Sequence, residues 1–354
     1  MVLITENEGW EGEPKRRVVI EMQLGRRVVV AIGGNAILRD GQRGTVEEQL
    51  ANLSEACDSI ASLVRPGAGL VLTHGNGPQV GSILIQNELA KDEVPPQPLD
   101  ACVAQSQGFL GYIIQQSLRK ALERRGLSRE VVSIVTQVVV SPDDPAFRAP
   151  SKPIGPFYTE AQARRLAEEK GWRMMEVGRH RWRRVVPSPR PLEVVERETI
   201  RRLVKQGTIV VAAGGGGIPV VRRGGGLAGV EAVVDKDLAS AVLARDIGSD
   251  TLLILTDVEG VALDFGRPGQ RFVKRMTASD VRRHLHAGQF PPGSMGPKME
   301  AALLFLSPRR ETSLDSFLPS GAEPPKPQLR VVVASLRNAS EAAQGDSGTL
   351  IVPD

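Results

Sequence analysis

The sequence predicts an α/β protein built on a mainly parallel sheet covered by helices, with a stiff flap projecting from it. Three observations carry this. From Arg27 onward short β-branched runs alternate with amphipathic stretches, several of those runs end in glycine, and one proline-rich segment breaks the alternation. Strands are expected at residues 28–32, 69–73, 131–140, 208–213, 251–255 and 329–334. Between the first two, Leu50, Leu53, Cys57, Ile60 and Val64 recur three or four apart, and Thr45 with Glu48 makes a capping box ahead of them. That spacing predicts a helix with Cys57 in the core. Further helices are expected at residues 78–91, 103–125, 160–170, 192–205, 236–246 and 297–306.

Two stretches depart from the rhythm. Residues 141–158 hold Pro142, Pro145, Pro150, Pro153 and Pro156, which remove backbone donors and fix φ, so the reading is a flap rather than a helix or a central strand. Residues 307–328 are rich in serine, proline and charge and read as an exposed insertion. Residues 1–26 read as a frayed extension: Arg16 and Arg17 are followed by too short an apolar stretch for an export signal.

With 354 residues the chain is long enough for two lobes or one large sheet. Apolar residues make up 41% and charged residues 24%, ordinary globular usage, and no apolar run approaches a bilayer span. Two cysteines, Cys57 and Cys102, cannot build a disulfide framework, which fits a reducing cytoplasm. The net charge of +4 is too slight an excess to imply nucleic acid or another polyanion as partner. The basic run Arg179 to Arg184 includes one aromatic residue, Trp182, and six residues make no groove.

The candidate chemistry lies in glycine turns at the carboxyl ends of the expected strands, where open α/β sheets bind ligands. They are Gly33-Gly34-Asn35-Ala36, His74-Gly75-Asn76-Gly77-Pro78 and Gly214 to Gly217. None follows the spacing of a P-loop or dinucleotide fingerprint, because Gly75-Asn76-Gly77 runs into Pro-Gln-Val and Gly217 into Ile218-Pro219. Glycine permits close backbone approach, and N–H groups at a following helix start favour an anion. The four histidines show no zinc spacing. Lysine is scarce, 10 against 35 arginines, so Lys152, Lys236 and Lys298, set among glycine, proline or acidic neighbours, stand out. An ammonium is a compact point charge suited to a moving phosphoryl group. Asp235 and Asp237 flank Lys236, and Asp235 is the preferred candidate of the two.

The ordered series as a whole resembles the carbamate kinases of the amino-acid kinase superfamily, over about residues 28–349. It comprises the turns just named, Asp143 to Phe147, Lys152 to Tyr158, Arg184 to Pro189, Gly229 to Ala232 with Asp235-Lys236-Asp237, and Gly293-Ser294-Met295-Gly296-Pro297-Lys298. The resemblance implies an open three-layer αβα sandwich and the reaction ATP plus carbamate giving ADP plus carbamoyl phosphate, run toward ATP in arginine or agmatine breakdown. It implies Mg²⁺ with ATP or ADP as cofactor, a homodimer, and small molecules as the other partners. It also implies a carbamate lobe at residues 27–225 carrying a flap at about 141–190, and a nucleotide lobe at residues 226–354.

By motif, Lys152 corresponds to the flap lysine, Lys236 and Lys298 to nucleotide-side lysines, and Asp235 to the acid that keeps them in place. Gly33, Gly34, Asn35, Gly75, Asn76 and Gly77 fall on the substrate side. Gly214, Gly215, Thr256, Asp257, Met295, Gly296 and Lys298 fall on the nucleotide side. Related acid kinases carry a lysine in the first turn where this chain reads Gly-Gly-Asn, which favours carbamate over acetylglutamate or aspartate. Another small-carboxylate kinase, or a silent metabolite-binding homologue, is the alternative.

Overall fold

A computed structural model describes residues 26–39, 41–308 and 328–354. The readings of the N-terminal extension and of most of the 307–328 insertion lie outside these residues. Apolar runs buried on both faces, such as Val28 to Ile32, require a sheet covered on both sides, and they form the centre of an eight-stranded one. Its order is Arg275–Thr277, Thr349–Val352, Arg330–Ser335, Thr251–Thr256, Arg27–Ile32, Gly69–His74, Ile209–Val211 and Val131–Ser133. Pairing is parallel from Arg330–Ser335 to Val131–Ser133 and turns antiparallel at Thr349–Val352. On one face pack the helices Val46–Ala61 and Leu99–Glu123, and on the other Lys236–Asp246 and Met295–Leu306. The Thr45/Glu48 capping box is formed, and Leu53, Cys57 and Ile60 are fully buried.

The expected strand at 131–140 is two strands. After Val131–Ser133 the chain bends at Thr136, whose N–H and C=O are both bonded by the side-chain amide of Gln107. Gln137–Val140 then joins a second, four-stranded sheet with Ile218–Arg223, Gly226–Gly229 and Pro191–Val194. With the backbone groups of Thr136 satisfied sideways, the chain leaves one sheet for another without an unpaired buried donor. The helix expected at 192–205 starts five residues later, at Arg197, because Pro191–Val194 is a strand. Gly224-Gly225-Gly226-Leu227-Ala228-Gly229 matches GxGxxG by spacing alone, since it is the turn and second strand of a hairpin and opens no helix.

The proline-rich flap contains a strand, Lys152–Tyr158, in a three-stranded antiparallel sheet with Arg181–Val186 and Met174–Gly178. It is an edge strand, the position that tolerates Pro153 and Pro156. Its register slips after Ile154, at Gly155 with φ +71°, whose carbonyl accepts from the Arg183 guanidinium. Ile154 and Val186 at the base of the flap pack with Val80, Leu99, Cys102, Val103 and Val233, which fastens the flap to the sandwich.

Candidate active site

The turns at the carboxyl ends of four adjacent parallel strands line a cleft of about 1310 Å³. Gly33 to Ala36 follow the first strand and Gly75 to Gly77 the second, and these two turns touch: a Cβ on Gly75 would stand 3.2 Å from the N of Gly34. Thr256 ends the third strand and Asp257 follows it, and Ser335 ends the fourth with Leu336 to Asn338 after it. The flap contributes Lys152, and the helix starts at Asp235 and Met295 close the remaining wall. All sequence-predicted site residues line this cleft except Gly214 and Gly296. Gly214 is packed against His74, where a Cβ would lie 2.4 Å from Nε2, and Gly296 packs on Pro291.

The third glycine turn differs from the expectation of an anion-binding helix start. Gly214–Gly216 is one buried 3₁₀ turn that leads into a strand, and Gly215, Gly216 and Gly217 all have positive φ. At Gly215 a Cβ would fall 2.1 Å from the Asn76 side chain, so glycine there provides close packing against the cleft floor.

The lysines are gathered at one helix N-terminus. Asp235 caps the helix Lys236–Asp246, its Oδ1 accepting from the N–H groups of Asp237 (2.9 Å) and Leu238 (3.4 Å). Its Oδ2 accepts from Lys152 Nζ at 2.9 Å, which ties the flap to this helix. Asp237, ranked second from sequence, is the acid that holds the other two: Lys236 Nζ donates to its Oδ1, and Lys298 Nζ lies 3.4 Å from its Oδ2. Lys298 Nζ also donates to Ser294 O. The Asp237 side chain is 5% exposed and those of Lys236 and Lys298 13% and 14%. Burial alone raises the Asp237 pKa, but the two ammoniums outweigh it and hold the carboxyl below its ordinary value.

On the other wall Asn35 Nδ2 donates to Asp257 Oδ2 at 3.0 Å, and Thr256 Oγ1 to Asp257 Oδ1. Burial opposes ionisation of Asp257, yet these hydrogen bonds, its own N–H and Lys298 lower its pKa. His74 is buried beneath the cleft, its Nδ1 2.9 Å from Gly75 O. Burial pushes its pKa down to about 4, with Lys236 adding to the effect, so the ring is neutral at pH 7. Beside the lysines the cleft is apolar, with Val258, Phe265, Phe290 and Met295 in its wall.

Sequence reading missed Ser106 and Gln107, two buried polar residues inside the long helix Leu99–Glu123. Ser106 bonds the Asn76 amide, and Gln107 Nε2 donates to Gly214 O. The only signal was their polarity on an otherwise apolar helical face.

Three ammoniums held by acids beside glycine-lined turns define a site built to take a polyphosphate and a small anion, the equipment of a phosphotransferase. The model of the amino acid kinase family matches residues 26–310. The chain is 44% identical to a carbamate kinase of Pyrococcus furiosus over 93% of its own length and 100% of the relative's, and 42% identical to one of Clostridium perfringens over 92% and 99%. A solved structure of carbamate kinase from Giardia lamblia bound to AMP-PNP superimposes with a TM-score of 0.82 at 38% identity, covering 93% of this chain and 99% of that one. The chain belongs to the amino acid kinase family. Within that family it falls among the carbamate kinases, whose whole length it shares.

Proposed function

We propose that this protein transfers the γ-phosphoryl group of ATP to carbamate, reversibly, giving ADP and carbamoyl phosphate. The observation that carries the proposal is the gathering of Lys152, Lys236 and Lys298 on two acids at one helix start, in the cleft that the glycine turns line. A carbamate oxygen attacks the γ-phosphorus, forming a new O–P bond. The bond from that phosphorus to the bridging oxygen breaks, and its electron pair stays on ADP. No proton moves, because the attacking oxygen is already anionic, so the site needs no general base. Neutral, buried His74 is consistent with that.

The barrier is the approach of two anions, and catalysis is alignment plus charge neutralisation. Lys236 and Lys298 neutralise the nucleotide side, and Asp237 fixes both. Lys152 arrives with the flap and meets the moving phosphoryl group from the substrate side, with Asp235 holding it until the phosphates compete for it. The Gly33 and Gly75 N–H groups are bonded to Leu255 O and Ile32 O, so those of Gly34, Asn76 and Gly77 receive the carboxylate, and the adenine stacks on the wall formed by Phe265 and Met295. The division into a carbamate lobe at 27–225 and a nucleotide lobe at 226–354 follows from those assignments.

Among the described residues no group of three His, Cys, Asp or Glu side chains is arranged to hold a metal ion. The carboxylates of Asp235 and Asp257 in the cleft wall are oxygen donors of the kind Mg²⁺ takes, and would hold it together with the nucleotide phosphates. Bound there, Mg²⁺ would neutralise phosphate charge. We also propose a homodimer formed through the sheet edge at Val131–Ser133, beside which Tyr112 and Val135 are 56% and 54% exposed. The two buried, unpaired cysteines suit a reducing compartment such as the cytoplasm. A coupled assay of ATP formation from ADP and carbamoyl phosphate tests the function, and sedimentation tests the dimer. Turnover by the purified protein and a mass of two chains are expected; ADP bound without turnover, or a single-chain mass, would overturn the respective proposal.

A further inference from the structure

The cleft contains one amide whose orientation the surrounding network fixes. Ser106 Oγ donates its hydrogen to Val103 O at 2.6 Å, so toward Asn76 that oxygen can act only as an acceptor. The Asn76 side chain therefore presents Nδ2 to Ser106, at 2.8 Å, and turns Oδ1 the other way. The amide fills the space beside Gly215, where a Cβ would overlap Nδ2, Cγ and Oδ1. Among the described residues nothing donates to Asn76 Oδ1, and it is not sealed in the interior as Gln79 Oε1 is. Asn76 lines the cleft within one of the two turns assigned to the carboxylate.

We infer that Asn76 Oδ1 is the acceptor that reads the amino group of the substrate, and that Ser106 is the positioning residue that aims it. The inference rests on the carbamate reading above and adds what selects carbamate among small carboxylates. Carbamate and acetate have nearly the same shape and charge, and differ in that an NH₂ with two donors replaces a methyl group. A fixed carbonyl oxygen bonds the amine. Facing a methyl group it is left desolvated and unpaired, the arrangement by which a polar site rejects an isostere most strongly. A flipped amide would present its own N–H groups instead and would repel the amine, so discrimination requires Ser106 as well as Asn76.

The test compares ATP formation from ADP with carbamoyl phosphate and with acetyl phosphate, for wild type, Asn76→Ala and Ser106→Ala. The readout is the ratio of the two kcat/KM values, which a merely structural role leaves unchanged because both substrates use the same lysines. Wild type is expected to prefer carbamoyl phosphate by on the order of a thousandfold or more. Each variant is expected to lower that ratio by about tenfold or more, chiefly by losing activity on carbamoyl phosphate. If Asn76→Ala does not fold, Ser106→Ala decides the matter with Asn76 still in place. Parallel losses on both substrates, with the ratio kept within about twofold, would overturn the inference and leave the carbamate reading standing. Equal use of both substrates by wild type would also overturn it. A wild type that turns over neither removes the carbamate reading and this inference together.

Discussion

Replacing Asp237 with asparagine takes one negative charge from a group in which a single buried carboxylate faces two ammoniums. Lys236 Nζ can still donate to the amide oxygen, but Lys298 Nζ, 3.4 Å from Oδ2, then meets an NH₂ group. Breaking a buried pair from one side leaves uncompensated charge and typically costs about 3–5 kcal/mol. Both lysines line an open cleft where water can rehydrate them, so the lower end applies, about 3 kcal/mol. At about 1–2 °C per kcal/mol for a chain of this size, the melting temperature is expected to fall by roughly 3–6 °C. With the lysines no longer fixed, kcat for ATP formation is expected to drop by about a hundredfold or more, as when an oxyanion donor is removed. The assay pairs thermal melting with steady-state turnover and includes Lys298→Met and the double variant. Since Asp237 and Lys298 act as one unit, the double variant should lose much less than the summed losses of the singles. The sign with pH is fixed too. The Asp237 carboxyl lies below its ordinary value of 3.8, so its contribution is constant above that value and is lost as the pH falls below it. Near-wild-type melting and turnover in Asp237→Asn, or strict additivity, would refute the reasoning.

His74, held neutral with a pKa of about 4, binds a proton more weakly folded than unfolded, so stability should fall as the pH drops from about 6.5 toward 4, by about 3 kcal/mol in all. Unfolding curves of wild type and His74→Gln across that range check it; an equal slope in both proteins contradicts it. Gly215→Ala should lose carbamoyl phosphate turnover and melt lower, because the new Cβ meets Asn76 at 2.1 Å on a residue with φ +65°; wild-type kinetics would contradict the close packing. Cys57 and Cys102 are both buried, and burial pushes the Cys57 thiol up to about 12, so a thiol reagent should label neither in the native protein and both in denaturant. Rapid native labelling would show the core around them to be open.

Much of this fold was legible because its strands are buried on both faces and its turns fall where glycine is required. The apolar run Val28 to Ile32 ending in Gly33-Gly34, and the spacing around Cys57, leave little freedom of interpretation. The break at Thr136 was hidden because the β-branched run continues across it, and what ends the strand is a side chain from a distant helix, Gln107. The flap strand was obscured by its own prolines, which an edge position tolerates. In the site, the lysines stood out against an arginine-rich background, and the acids flanking Lys236 were visible. Which acid served which lysine depended on direction around the helix start: Asp235 turns one oxygen to the cap and the other to the flap, while Asp237 points at Lys298 from another helix. The part played by Ser106 was illegible, since a serine within a helix acquires meaning only from the Asn76 amide it meets.

The most direct measurement is the rate of ATP formation from ADP and carbamoyl phosphate by wild type and by Lys152→Met, Lys236→Met and Lys298→Met, each shown by circular dichroism to keep its fold. If the three ammoniums act together on the phosphoryl group in transit, wild type turns over and each variant falls by about a hundredfold or more. A folded variant that keeps near-normal turnover contradicts the account.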